Sequence, residues 1–193
     1  ANIWALKKLG VTHVLATTAV GSLREEVHPG ELLLPDQLID RTNRRIGTFF
    51  DDVAVHVEFA QPFCESVRTV LKTAASTLTG TTVHPRGTYV VMEGPAFSTR
   101  AESDLHRAWG ADLIGMTALP EAKLAREAEL CYAAISLPTD YDCWRVEEEH
   151  VTGEGSPAQV HAPEPLHPPR QHELLLADPR LRVPAVVPGP RQE

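Results

Sequence analysis

Between Glu154 and Glu193 the chain carries nine of its sixteen prolines and no Phe, Trp or Tyr. Proline fixes φ and removes a backbone donor, so such a stretch builds neither helix interiors nor central strands. The side chains able to make a core are therefore confined to about the first 150 of 193 residues, a length suited to one α/β domain. The expected organisation is a folded domain over 1–152 and an extended or disordered tail over 153–193.

Within the first part, elements alternate. Ile3, Leu6 and Leu9 recur at helical spacing before a capping Gly10. Val11 to Val20 is rich in apolar and β-branched residues and reads as a buried strand ending at Gly21-Ser22. A second strand is expected over Glu31 to Ile39. Pro62 to Leu78 reads as an amphipathic helix carrying Phe63, Val67, Val70, Leu71 and Ala74. Thr88 to Met92 is a strand closed by Gly94-Pro95, and Thr99 with Glu102 forms a capping box for a helix through Trp109. Asp112 to Met116, Pro120 to Glu129 and Cys131 to Leu137 continue as strand, helix and strand. Such alternation implies an α/β sheet, at least partly parallel.

Ligands of α/β sheets gather beyond the carboxyl ends of the strands. The polar exits here are Thr17-Thr18-Ala19, Glu93-Gly94-Pro95-Ala96-Phe97-Ser98, Met116-Thr117 and Thr139-Asp140-Tyr141-Asp142. Asp140 and Asp142 point the same way if the backbone stays extended, and repulsion or partial burial would raise one of their pKa values. A solvated acidic turn accounts for the same spacing. Thr18 reads as a ligand hydroxyl or as ordinary strand chemistry, and Thr117 as a ligand hydroxyl or a helix N-cap. Phe97 can stack on a heterocycle or sit in the core. His56 and Arg24, Arg41, Arg44, Arg45 and Arg100 read as solvated or surface-paired side chains.

Several function classes are disfavoured. The formal net charge of −8 and the absence of a basic stripe argue against a nucleic-acid partner. No apolar run approaches the ~20 residues of a membrane helix. Cys64, Cys131 and Cys143 lack metal-ligand spacing and fit reduced, cytoplasmic thiols. A nucleophile elbow, a phosphate-loop motif, a dinucleotide fingerprint and paired His ligands are all missing. Chemistry would rest on general acids and positioned hydroxyls, without a cofactor.

A set of ordered segments resembles the methylthioadenosine phosphorylase family of purine nucleoside phosphorylases. They are 1–7, 17–26, Asp36-Gln37, 39–42, Pro62-Phe63-Cys64, Glu93-Gly94-Pro95, Phe97-Ser98, 100–103, 109–112, Met116-Thr117, Pro120-Glu121 and 139–144. The resemblance covers about residues 1 to 150. It implies a mixed β-sheet flanked by helices and phosphorolysis of 5′-methylthioadenosine, with inorganic phosphate as co-substrate. Thr18 and Thr117 would contact phosphate. Ala19, Phe97, Ser98, Met116 and Thr117 would line the base and ribose pocket, and His56 would reach a neighbouring subunit's 5′ pocket in a homotrimer. Asp140 and Asp142 would read N7 and N6 of adenine, with Asp140 the preferred acid, although the division can be reversed.

A carboxylate accepts from a 6-amino group whereas a 6-oxo group wants a donor, which favours adenine. A 6-oxopurine or methylthioinosine phosphorylase remains an alternative, as does a non-catalytic purine-binding or assembly module. In the family a glycine-rich phosphate loop and an Arg-His segment precede the counterpart of Ala1, and a C-terminal helix follows the counterpart of Glu149. Val20 stands where relatives often carry Cys. The resemblance thus implies a catalytic domain incomplete at both ends, with poor turnover by this chain alone.

Overall fold

The computed structural model describes residues 2–145. The proline-rich stretch 153–193 lies outside the described residues. Seven strands form one mixed sheet: β1 (His13–Ser22), β2 (Leu32–Leu33), β3 (Gln37–Arg41), β4 (Val83–His84), β5 (Thr88–Met92), β6 (Leu113–Gly115) and β7 (Cys131–Asp140). Their spatial order is β3-β5-β6-β1-β7-β2-β4. The helices are α1 (Asn2–Lys8), α2 (Glu65–Ala75), α3 (Arg100–Ala108) and α4 (Ala118–Glu127). Among them none is long and apolar enough to cross a membrane.

The centre of the sheet is the parallel pair β1/β7, in register from His13↔Cys131 to Val20↔Pro138, with a shift that then sets Gly21 against Asp140. β3/β5 and β5/β6 are also parallel, while β1/β6 and β2/β7 are antiparallel. The expected single strand over Glu31 to Ile39 is two strands, because Leu34, Asp36 and the fully buried Pro35 separate β2 from β3; proline cannot donate to a continuing ladder.

Strand alternation builds a core on each side. Tyr89, Val91 and Leu113 join a large cluster with Val20, Tyr132 and Ala134, against which α1 and α4 contribute Ile3, Ala122 and Ala125. Val90 and Ile114 point the other way, to Leu23, Ala111 and Trp144. β1 is covered on only one side, contrary to the fully buried strand expected from its composition. Val20 is buried, yet Leu15 is 51% exposed and Ala19 is open. Val70 of α2 is likewise exposed, so the apolar stripe of that helix is narrower than its sequence suggests.

Local signals hold where a single interaction fixes them. Thr99 caps α3: its hydroxyl accepts from the Glu102 N–H at 3.2 Å, and Glu102 accepts from the Thr99 N–H at 2.8 Å. Such reciprocal bonding satisfies two otherwise orphaned donors. Thr117 stands at the N-cap position of α4 but makes no capping bond.

Arg45 corrects the expectation of a surface cation. Its guanidinium is 18% exposed, donates to the carbonyls of Met92 (3.1 Å), Glu93 (2.8 Å), Met116 and Leu119, and pairs with Glu93 at 3.5 Å. One planar fork thereby ties the exits of β5 and β6 together. Arg45→Ala leaves these carbonyls without a donor and should cost about 2–4 kcal/mol. A lowered urea midpoint checks this, and an unchanged midpoint would contradict the clamp.

Candidate active site

The polar strand exits converge in two groups. In the first, Thr18 of β1 faces Ser136 of β7, the two hydroxyl oxygens being 3.0 Å apart and buried. Tyr89 reaches the same place from β5. Its hydroxyl is buried without a well-aligned hydrogen bond, and the Thr117 and Thr18 hydroxyls are its polar neighbours. Burial pushes the Tyr89 phenol up, with those threonines pulling the other way, so it stays a neutral donor. Gly115 makes room for it: a Cβ there would lie 2.3 Å from the Tyr89 oxygen. Thr117 itself is exposed.

The second group surrounds the end of β7. Thr139 donates its hydroxyl to Asp140 Oδ2 at 2.8 Å, and the Asp142 N–H donates to Asp140 Oδ1 at 2.8 Å. That second bond folds the chain back and holds Asp142 at φ 50°, a left-handed conformation aspartate tolerates better than most residues. The two residues thus do not continue as an extended strand, the premise on which their side chains would simply align. They are nevertheless neighbours, since a Cβ on Gly21 would be 3.1 Å from Asp140 Oδ1 and 3.3 Å from Asp142 Cβ. Glycine here lets the strand pass under both carboxyl groups.

Asp142 lies in a perturbing environment. Burial pushes its carboxyl above the usual aspartate range; Ser103, the Cys143 N–H and Ser98 pull it down, and the adjacent Asp140 charge pushes it up again. Its Oδ2 is buried without a well-aligned partner, as is the Ser103 hydroxyl beside it. A buried carboxyl oxygen lacking a donor is costly to leave charged, which is the direction in which Asp142 is pushed. The sequence favours Asp140 as the acid and leaves the division between the two reversible; burial acts on Asp142.

Around the aspartates, the Ser98 carbonyl accepts from the Cys143 thiol at 3.3 Å, and the Ser98 hydroxyl lies 3.8 Å from Met92 Sδ. Trp144 donates its indole N–H to the Ser22 carbonyl at 2.8 Å. Met116 packs on Gly94, whose φ is +70° and where a Cβ would be 2.5 Å from the Met116 sulfur. Phe97 is 77% exposed, which excludes the core reading and leaves its ring free to cover a ligand. Ala19 is open on the uncovered side of β1. His56 is exposed, and no hydrogen bond joins it to any of these residues among those described.

Ser103, Ser136 and Tyr89 escaped sequence reading. Ser136 and Tyr89 sit inside strands where a polar side chain carries no local signal, and the pairing of β1 with β7 and the packing of β5 reveal them. Ser103, on the buried side of α3, could have been suspected from polarity at a position that the helical period turns inward.

The chain belongs to the phosphorylase superfamily, whose family model matches residues 1–161. It is 56% identical over 154 residues to an S-methyl-5′-thioadenosine phosphorylase of Geobacter sulfurreducens, an alignment covering 79% of this chain and 54% of the relative. To a protein of the same name from Danio rerio it is 54% identical over 157 residues, covering 78% and 56%. The chain thus spans about half the length of the curated relatives it matches. Among solved structures it resembles methylthioadenosine phosphorylase from Schistosoma mansoni in complex with adenine, with a TM-score of 0.74, 44% identity, and coverage of 79% of this chain and 60% of that one.

The perturbed carboxyl has a thermodynamic signature. Because the folded pKa of Asp142 is raised above its ordinary 3.8, the group's contribution to stability is full below that value and is lost as pH rises through the folded pKa. Asp142→Asn removes this loss, so the variant should gain stability relative to the parent across that window. Carboxyl ¹³C titration should place the Asp142 midpoint above the ordinary value; a midpoint at or below it would refute the assignment.

Proposed function

We propose that this protein splits 5′-methylthioadenosine with inorganic phosphate, giving adenine and 5-methylthioribose 1-phosphate. The observation that carries this reading is the Asp140/Asp142 pair at the exit of β7, one carboxyl bonded on both oxygens and the other buried with a raised pKa. The printed names of the relatives, and the adenine bound to the Schistosoma mansoni protein, support the same chemistry.

Each part has a physical task. As the glycosidic bond lengthens, the sugar becomes cation-like and negative charge moves onto the purine. A protonated carboxyl at N7 neutralises that charge, and the second carboxylate accepts from the 6-amino group. General-acid help of this kind is worth ~10²–10⁴-fold. Asp142, whose carboxyl burial pushes upward, is assigned the proton at N7, and Asp140, already engaged by Thr139 and the Asp142 N–H, is the acceptor. Phe97 and Met116 bracket the base and ribose, and Ser98 and Ala19 line the approach.

Phosphate is assigned to Thr18 and Thr117, supported by their convergence on the Tyr89 hydroxyl. Placed there, its negative charge faces the developing sugar cation and its oxygen attacks C1′. The exposed His56 suits a role in a neighbouring subunit's 5′ pocket within a homotrimer, and the three free thiols suit the cytoplasm.

The test is adenine release from methylthioadenosine with and without phosphate. From this chain alone slow release that requires phosphate is expected; robust release would contradict the expected poor turnover, and release without phosphate or faster cleavage of methylthioinosine would contradict the reading. Asp142→Asn should lower kcat by about 10²–10⁴-fold. Asp140→Asn, which presents an amide donor to C6, should shift preference toward methylthioinosine. Equal loss on both substrates would contradict the division between the two residues.

A further inference from the structure

Tyr89, Thr18 and Ser136 share one side of the sheet. β5 sets Tyr89 against Leu113 and Val91 against Gly115, and Val20 joins Tyr89, Val91 and Leu113 in one buried cluster. Side chains two apart on a strand share a face, so Thr18 lies on that side with Val20. Ser136 faces Thr18 across the ladder, its hydroxyl oxygen 3.0 Å away. The Tyr89 ring leans along β6 over Gly115, where an added Cβ would lie 2.3 Å from Oη and 3.0 Å from Cζ. The phenol thus crosses toward β1 and brings its hydroxyl to Thr18 and Thr117.

That hydroxyl is buried without a well-aligned hydrogen bond, a costly arrangement for a polar group inside a core. Its polar neighbours are of two kinds. The N–H groups of Thr117 and Ala118 can only donate, whereas the Thr117 and Thr18 hydroxyls can also accept. Burial keeps the phenol protonated, and the threonine oxygens are the acceptors among these neighbours. Thr117 makes no capping bond in α4. Arg45 holds the carbonyls of Met116 and Leu119 on either side of it, so its backbone is fixed while its hydroxyl can rotate.

We propose that Tyr89 is a positioning residue for phosphate: its phenol donates to the Thr117 oxygen and thereby leaves the threonine's own proton to point at the anion. A hydroxyl that accepts from one neighbour is also polarised as a donor to the next. Ser136 stands in the same relation to Thr18. Two hydroxyl rotors that would otherwise turn freely then face the anion as fixed donors, the kind of preorganisation that makes neutral dipoles effective toward charge.

Tyr89 is fully buried and Thr117 exposed, so the phenol acts through the threonine and does not itself touch phosphate. Gly115 is part of the same device, because any side chain there would displace the ring. This role rests on the assignment of phosphate to Thr18 and Thr117.

The test titrates the full chain by calorimetry with inorganic phosphate alone and, separately, with adenine alone. Tyr89→Phe should weaken phosphate binding about tenfold and leave adenine binding unchanged. Thr117→Val should weaken phosphate at least as much, and the double variant should lose nothing further, since the phenol works only through that hydroxyl. A check that needs no variant is ¹³C NMR of the chain labelled at tyrosine Cζ: phosphate should move the Tyr89 resonance and leave Tyr132 and Tyr141 in place. If Thr117→Val weakens phosphate but Tyr89→Phe does not, the phosphate assignment stands and the role of Tyr89 falls. Equal weakening of phosphate and adenine by Tyr89→Phe, additive losses in the double variant, or an unmoved Tyr89 resonance would likewise overturn that role. A parent chain that binds no phosphate would overturn the assignment and the role together.

Discussion

The parallel ladder between β1 and β7 is the constraint on which the rest depends. It runs in register from His13↔Cys131 to Val20↔Pro138 and then slips, so that Gly21 meets Asp140. Before the slip the pairing brings Thr18 and Ser136 together on the side where Tyr89 packs. After it, the missing Cβ of Gly21 gives both aspartates room beside the strand. A bulge that re-aims side chains at the end of a strand is a recurrent way of building a site. Here it separates a hydroxyl-rich group from an acidic group while keeping both at the same strand exits.

That arrangement is held from outside by Arg45. A strand exit is a run of backbone carbonyls with no ladder partner, and such groups need donors when water is excluded. Arg45 supplies them to the ends of β5 and β6 at once. The capping box of Thr99 and Glu102 does the equivalent for α3, orienting the helix that brings Ser103 beside Asp142. Charge developing on a ligand would therefore meet groups whose positions are already fixed, which is what makes electrostatic stabilisation effective.

Much of this was legible in the residues. The strand at Thr88–Met92, the capped α3 and the acidic exit after Cys131 are each encoded locally, by β-branched runs, a Thr-x-x-Glu spacing and an abrupt polar boundary. What was not legible depends on contacts distant in sequence. Arg45 looks like one of several loop arginines until β5 and β6 are adjacent. Asp140 and Asp142 look interchangeable until the left-handed turn hands the Asp142 N–H to Asp140 and buries the Asp142 oxygen. The outer side of β1 read as core because Leu15 is apolar, but no described element covers it. Tyr89 hid inside an apolar strand, where only the glycine at 115 marks the space its hydroxyl needs.

The central claim is that the acidic turn grips the imidazole edge of the base and neutralises it. The most direct measurement is ¹⁵N NMR of isotopically labelled adenine bound to the protein. Gripped as described, N7 should move strongly toward the shift of a protonated, hydrogen-bonded nitrogen, and Asp142→Asn should abolish that movement. An N7 resonance that stays at its value in water while adenine is bound would contradict the account.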